Sequence, residues 1–392
     1  MLAFTFPGQG SQKPGMGQPW VDHPSWELVA DASQIADRNI EKLLLDADAE
    51  ELKLPRNTQL ATFMLSMVVL DAVERVGIEP TVAAGHSLGE YTALAAVGAL
   101  SLEDGVRIVT IRGEAMQDAA DLRSGTMLAI LGLDDDAADA ACRRADGDVW
   151  VANYNAPGQI VIAGDPAALE RASVAAKELG AKRVMPLPVG GAFHTPFMAP
   201  ARDRLREAIA TASIHELEIP VFANIDARSH QAAVDWPALL SAQLVSPVRW
   251  RQTVQNMADT GVNTLIELGP ANVLTGLAKR TVPDLRALSI STPDDVDRLV
   301  EVLNGGAPRP LARAHEGEHL SMTVRMVVSP AAGIFSPVSD VVRGSTVKVA
   351  AILGHIGETE VRSGFAGTVN GMLAVDGERV TVGQPIAWLE VI

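Results

Sequence analysis

The 392-residue chain has a single cysteine, Cys142, which excludes an internal disulfide and a zinc site built from cysteines. It also lacks any run of about 20 apolar residues, the length a bilayer-spanning helix needs. Nor does it open with the basic start and long apolar core of a secretory signal, since Met1-Leu2-Ala3-Phe4-Thr5-Phe6 runs straight into Pro7-Gly8-Gln9-Gly10-Ser11. A cytoplasmic location without membrane contact is the expectation. Positive charge is scarce as well, with 32 Lys and Arg against 48 Asp and Glu and a formal charge of −16. Non-specific binding to nucleic acid or anionic lipid needs a basic surface that displaces counterions, so neither is expected. An acidic partner would need a local basic patch. Cys142 falls in 134–145, a helical pattern, and reads as a small buried apolar residue rather than a nucleophile.

What is present is a globular composition, 47% hydrophobic and 20% charged, on a chain too long for one core. Short apolar runs at 2–6 and 81–84 are each followed by helical periodicity, at 58–76 after the first and at 89–98 and 102–116 after the second. That alternation predicts an α/β fold. From 125 to 189 the pattern becomes strand 126–132, helix 134–145, strands 149–152 and 159–163, helix 166–179 and strand 182–188. The β-α-β-β-α-β order is that of the ferredoxin-like motif. After it, 194–210 reads as helix and 220–224 and 264–268 as strands, which makes the small unit an insertion in a larger domain. The expected division is 1–124 with 190–303 for the large part and 125–189 for the insertion.

Near Asn304 the periodicity ends, and Gly305-Gly306-Ala307-Pro308-Arg309-Pro310 opens a linker predicted over 304–320. Residues 321–392 are short β-branched runs with glycine turns. They contain an approximate repeat, Ser329-Pro330-Ala331-Ala332-Gly333-Ile334-Phe335 against Ser363-Gly364-Phe365-Ala366-Gly367-Thr368-Val369. Two such halves predict a small β-sandwich with quasi-twofold symmetry.

Gly85-His86-Ser87-Leu88-Gly89 has the form of a nucleophile elbow, a strand-to-helix turn so tight that its flanks accept only glycine. Ser87 is the candidate nucleophile. The N–H of Leu88, at the start of the following helix, is placed to receive an oxyanion. The serine needs a base. His86 adjoins it, but neighbours on an elbow point apart, so His86 reads as structural. His194, in Gly190-Gly191-Ala192-Phe193-His194-Thr195-Pro196 where the insertion rejoins the large part, is the candidate base, although a lone histidine is more often a satisfied core residue.

A set of motifs now takes on meaning together: Phe6-Pro7-Gly8-Gln9-Gly10-Ser11-Gln12, Gly85 to Gly89, Arg112-Gly113-Glu114-Ala115-Met116-Gln117, Asn153-Tyr154-Asn155-Ala156-Pro157-Gly158-Gln159, Phe193-His194, Gln243 to Trp250, and Gly269-Pro270-Ala271-Asn272-Val273-Leu274. In this order, over 1–303, they resemble the malonyl-CoA:acyl carrier protein transacylases. The resemblance implies an α/β-hydrolase-like acyltransferase fold and a ping-pong reaction that supplies fatty acid biosynthesis. In it Ser87, deprotonated by His194, takes malonyl from malonyl-CoA, and the phosphopantetheine thiol of holo acyl carrier protein then removes it. The resemblance implies Gln9 and Leu88 N–H groups as oxyanion donors and the main-chain carbonyl of Gln243, rather than an aspartate, orienting the base. It implies no bound metal and no permanently bound cofactor. Arg112 matches the family's carboxylate clamp, and a planar guanidinium suits two parallel charge-assisted bonds to the malonyl carboxylate. Phe193 resembles the Phe-His pair of malonyl-selective members. Asn155 lines the cleft or forms the Asn-Ala-Pro-Gly turn. Lys182, Arg183, Lys279 and Arg280 are candidates for docking the acidic carrier, or plain surface charge.

Residues 326–392 resemble a biotinyl/lipoyl-type domain, a small all-β barrel, through Gly367-Thr368-Val369 and residues 375–385. Such domains carry their cofactor on a lysine in a Met-Lys-Met hairpin. The equivalent here, Leu353-Gly354-His355-Ile356-Gly357-Glu358-Thr359, has no lysine, and Lys348 falls before it, in the strand after Gly344. Neither biotin nor lipoate is expected; docking to another enzyme of fatty acid synthesis, or a remnant, are the readings left open. Two rivals stand beside the transacylase: an acyltransferase or acyl hydrolase of the same fold in polyketide synthesis, and a non-catalytic adaptor. Arg112 speaks against a hydrolase of neutral acyl groups, and the joint presence of Ser87, His194, Arg112 and Gln9 against an adaptor.

Overall fold

A computed structural model describes residues 1–303, 324–357, 359–363, 366–381 and 384–391. The predicted linker at 304–320 lies outside them, as do Glu358 of the hairpin, Gly364 and Phe365 of the repeat, and residues 382–383. The described residues form two compact units, one of Met1–Val73 with the chain from Ile78 to Leu303, the other of the strands from Val324 onward together with Glu74–Gly77.

In the first unit the strands, in chain order, are β1 (Leu2–Phe6), β2 (Val82–Gly85), β3 (Thr126–Leu131), β4 (Val149–Ala156), β5 (Gln159–Gly164), β6 (Arg183–Pro186), β7 (Val221–Phe222), β8 (Ser229–His230), β9 (Thr264–Leu268) and β10 (Arg286–Ile290). The main sheet has the order β10-β9-β1-β2-β7-β8. Its pairs are parallel except β7 with β8 at the edge. β1 and β2, at its centre, are buried along nearly their whole length, as strands covered on both faces must be. Their register pairs Phe6 with Gly85, so both strands end at one level and their following loops lie side by side. In open parallel sheets the carboxyl ends of the strands form the crevice where ligands bind. Helix Pro55–Arg75 is buried on almost every side, and its apolar residues accordingly run all round rather than in a stripe.

β3 to β6 form a separate sheet of order β4-β5-β3-β6 with every pair antiparallel. Helices Asp135–Arg144 and Pro166–Glu178 cover it through a layer of small residues that includes Ala138, Ala141, Cys142, Ala168 and Ala172. Asp134 and Asp165 cap these helices by accepting their first free N–H groups. Cys142 is buried, and desolvation pushes its thiol up to about 12, so it has no thiolate character.

The elements differ from the sequence reading in three informative places. The strand predicted over 149–152 continues to Ala156, because the N–H of Tyr154 bonds to Val248 carbonyl and that of Val248 to Ala152 carbonyl. The helix predicted over 194–210 begins only at Ala199. His194 has φ 61°, outside helical space, and Thr195 caps a single 3₁₀ turn at Pro196–Met198. The strand predicted over 220–224 shrinks to Val221–Phe222, since Asn224 turns away to bind the serine loop.

The second unit contains β11 (Val324–Val328), β12 (Gly333–Pro337), β13 (Thr346–Val347), β14 (Ile352–Ile356), β15 (Thr359–Arg362), β16 (Gly367–Met372), β17 (Arg379–Val380) and β18 (Pro385–Val391). They make two antiparallel sheets, β11-β18-β16-β13 and β15-β14-β12-β17. Moving each strand by four positions, with the last four returning to the first, converts one order into the other. This is the quasi-twofold symmetry expected from the repeat, which lies on the matching strands β12 and β16. Phe335, Leu353, Val361, Val369, Ile386 and Leu389 fill the space between the sheets. β14 and β15 form the central hairpin, pairing Ile356 with Thr359. Lys348 follows β13 rather than lying within a strand; its carbonyl accepts the N–H of Ala351 in a turn.

Candidate active site

The turn after β2 has the geometry the elbow sequence predicts. Ser87 has φ 53°, a strained value for a residue with a side chain. A Cβ at Gly85 would lie 1.8 Å from the Gly89 backbone, and one at Gly89 would lie 1.9 Å from the carbonyl oxygen of Phe6. Both flanks must be glycine. The N–H of Ser87 donates to Asn224 Oδ1 at 2.7 Å, and Asn224 Nδ2 donates to the Gly85 carbonyl at 2.6 Å. Asn224 thus staples the turn from both ends.

Ser87 Oγ lies 2.8 Å from His194 Nε2, and His194 Nδ1 lies 2.9 Å from the main-chain oxygen of Gln243. A carbonyl oxygen only accepts, so Nδ1 carries the hydrogen and Nε2 is free to accept the serine proton. His194 is buried, which pushes its pKa down to about 3; Arg112 and His86 add to the effect and the Gln243 carbonyl opposes it. The imidazole is therefore neutral at neutral pH, with Nε2 unprotonated and facing Ser87 Oγ.

Arg112, on helix Leu102–Leu122, is 1% exposed. Its NH2 donates to Ser87 Oγ at 3.1 Å and to Gln243 Oε1 at 2.9 Å, its NH1 to Gln59 Oε1 at 2.6 Å, and its guanidinium sits 5.1 Å from the Tyr91 ring centre. Its buried Nε has no partner, and among the described residues no carboxylate pairs with it directly. A buried cation beside a nucleophile, with a donor unused, suits an anionic group on the acyl chain.

The N–H groups of Gln9 and Leu88 have no acceptor among the described residues. The N–H of His86 donates to the Phe6 carbonyl, and Gly8 is so near the turn that a Cβ there would lie 2.5 Å from the carbonyl oxygen of His86. The Gln9 loop and the elbow are in contact.

The other predicted residues are placed differently. Asn155 belongs to β4, and its Oδ1 lies 2.9 Å from His86 Nε2; the turn is made by Pro157 and Gly158, which corrects the turn-forming alternative. His86, edge-on to Trp250, is structural. Phe193 is buried against Gly191, beside Ala120, outside the hydrogen-bonded cluster. Lys182, Arg183, Lys279 and Arg280 are all exposed. Arg280 bonds to Gln159, Gln159 pairs across the sheet with Leu131, and Leu131 with Arg183. The N–H of Lys182 bonds to Leu131 carbonyl, so Lys182, Arg183 and Arg280 share one end of the small sheet. The sequence reading missed Gln59, Glu90, Tyr91 and Asn224. Glu90, directly after the elbow, carried the one available signal, a carboxylate in an apolar helix.

The model of the acyl transferase domain matches residues 3–300. The chain belongs to the acyl transferase domain family. It is 40% identical over 307 residues to the malonyl CoA-acyl carrier protein transacylase of Bacillus subtilis, covering 77% of this chain and 97% of that protein. It is similar to the crystal structure of the acyl-carrier-protein S-malonyltransferase of Burkholderia pseudomallei, with 41% identity, a TM-score of 0.74, and coverage of 76% of this chain and 99% of that one. A second structure, of a malonyl-transacylase in complex with a type II polyketide synthase acyl-carrier protein, has 36% identity and a TM-score of 0.74, with 78% of this chain and 99% of that one covered. The family match ends before the second unit begins. Among the described residues no helix is long and apolar enough to cross a membrane.

Proposed function

We propose that this chain transfers the malonyl group of malonyl-CoA to the phosphopantetheine thiol of acyl carrier protein, through a malonyl ester on Ser87, in fatty acid biosynthesis. The observation that carries the reading is Arg112, a buried guanidinium 3.1 Å from the nucleophile and without a carboxylate partner among the described residues. Ser87 Oγ attacks the thioester carbonyl as His194 Nε2 takes its proton. The oxyanion forms against the N–H groups of Gln9 and Leu88, the carbon–sulfur bond breaks, and His194 returns the proton to the departing thiolate of coenzyme A. In the second half the carrier thiol gives its proton to His194 and attacks the ester, the carbon–oxygen bond to Ser87 breaks, and His194 returns the proton to Ser87 Oγ. The Gln243 carbonyl holds the imidazole in one tautomer throughout, and Arg112 clamps the malonyl carboxylate. The test is intact-mass spectrometry with malonyl-CoA, then with holo carrier. Formation of a malonyl adduct that the carrier removes supports the reading, and release to water faster than to the carrier overturns it. The polyketide complex among the similar structures favours a second reading, in which the carrier belongs to polyketide synthesis; the same assay with each carrier separates the two.

The depressed pKa of His194 gives this mechanism a distinctive pH dependence. With its pKa near 3, His194 stays deprotonated from pH 5 to 8 and by itself changes malonyl loading by less than about twofold, whereas a base of ordinary pKa 6.5 would lose about thirtyfold at pH 5. Rapid-quench loading rates across this range decide between them. Stability follows the same linkage. The unfolded histidine binds a proton below its ordinary pKa and the folded one does not, so this contribution is whole above about pH 6.5. It is lost as pH falls toward 3, by up to about 1.4 kcal/mol per pH unit.

The proposed division of the first unit, 1–124 with 190–303 and an inserted 125–189, is supported by its two separate sheets. Lys182, Arg183 and Arg280, at one end of the small sheet, with Lys279 next to Arg280 in helix Val273–Thr281, are the proposed docking site for an acidic carrier. Replacing Arg183 and Lys279 by glutamate should raise KM for the carrier about tenfold and flatten its salt dependence, with malonyl-CoA loading unchanged. An equal loss in both half-reactions would place docking elsewhere. The second unit is proposed to be a biotinyl/lipoyl-type domain that carries neither group. Its symmetry supports the assignment, and the central hairpin lacks a lysine at its attachment position. The intact-mass spectrum reads this too, because a biotinyl or lipoyl increment would refute it. Docking to another enzyme of fatty acid synthesis is a role such a domain would serve.

A further inference from the structure

Glu90 is 1% exposed and has no role in the steps above. Both of its carboxylate oxygens face donors. Oε1 accepts the backbone N–H of Asn224 at 2.6 Å, and Oε2 accepts from Gln243 Nε2 at 2.5 Å. Each partner is itself bonded to the reacting groups. Asn224 holds the N–H of Ser87. Gln243 Nε2 also donates to the Ser87 carbonyl at 2.8 Å, while Gln243 Oε1 accepts from Arg112 and its main-chain oxygen orients His194. The Gln243 amide therefore stands between the guanidinium and the carboxylate, oxygen toward the one and hydrogens toward the other. Only one of its two amide orientations satisfies both ends.

We propose that Glu90 is a positioning residue for acyl transfer: it fixes the Gln243 amide so that Arg112 is aimed at the acyl carboxylate, and it holds Ser87 through Asn224. This rests on the malonyl-transfer reading. Burial pushes the carboxyl up, opposed by the Asn224 N–H, the Gln243 amide and Arg112, with Asp226 adding to the rise; donors on both oxygens make the arrangement that of the ionised carboxylate. A carboxyl so costly to bury is kept in place by the bonds it makes.

Glu90→Gln keeps the volume but puts an NH2 group where only donors face it. The Gln243 amide must then turn over to accept from it, which presents hydrogens to Arg112 and oxygen to the Ser87 carbonyl. A carboxylate-bearing acyl group suffers from the lost aim of Arg112, whereas an acetyl group does not use that clamp. Single-turnover release of coenzyme A, from malonyl-CoA and from acetyl-CoA, reads the difference. In Glu90→Gln malonyl loading should fall about 10²-fold and the malonyl-to-acetyl ratio at least about tenfold, with Tm within a few degrees of the parent. Equal loss with both substrates overturns the proposal and makes Glu90 only a part of the packing. If Glu90→Gln does not fold, Gln243→Met supplies the test, because it removes the bridge and keeps the main-chain carbonyl that orients His194. The same fall in ratio is expected there, and an unchanged ratio overturns the proposal. A parent enzyme that takes no malonyl refutes the malonyl reading instead, so the two failures are distinct.

Discussion

Ser87→Ala should fold as the parent does, bind malonyl-CoA, and show no acyl adduct in an intact-mass spectrum. Transfer to the carrier should fall by about 10⁴-fold or more, the scale of loss when a nucleophile acting with its base is removed. Folding survives because the N–H that bonds to Asn224, the carbonyl that accepts from Gln243 and the glycine flanks of the turn all belong to the backbone. Alanine keeps each of them. What disappears is the one oxygen that His194 Nε2 and Arg112 NH2 both face. An adduct of unchanged mass and rate in Ser87→Ala would move the nucleophile elsewhere, and with it the entire proton path.

Arg112→Lys should separate charge from shape. Lysine keeps one positive charge but cannot span Gln59 Oε1, Gln243 Oε1 and Ser87 Oγ in one plane, as the guanidinium does. Burial also presses an ammonium toward its neutral form. Malonyl loading should fall about 10²- to 10³-fold, equivalent to about 3–4 kcal/mol of transition-state stabilisation. Acetyl loading, which has no carboxylate to place, should change by less than about tenfold. The ratio of the two rates, measured as release of coenzyme A in a single turnover, is the readout. A lysine variant that keeps its preference for malonyl would remove Arg112 from the proposed clamp.

The residues these predictions use were legible in the sequence to different depths for physical reasons. Ser87 was readable because its turn imposes glycine at two fixed offsets, and such constraint leaves a local pattern. The ferredoxin-like order of the insertion was readable because each element has its own apolar period. His194 and Arg112 were reachable from family motifs, since they lie 107 and 25 positions from Ser87 in the chain and meet it only on folding. Gln59 and Asn224 carried no comparable signal, for a buried amide is indistinguishable in sequence from a surface one, and Glu90 offered only its place in an apolar helix. The early start given to the helix at 194 was a periodicity error, because φ at one residue is invisible to an apolar pattern.

That φ value gives the hydrogen bond between Ser87 and His194 an unusual foundation. Both ends of it stand on left-handed backbone, at 53° and 61°, where glycine would be more comfortable. A laboratory selection for heat resistance alone, blind to turnover, would thus find advantage in glycine at both positions, and its most durable products would be inert. Screens for a hardier form of this enzyme need to score acyl transfer in every round.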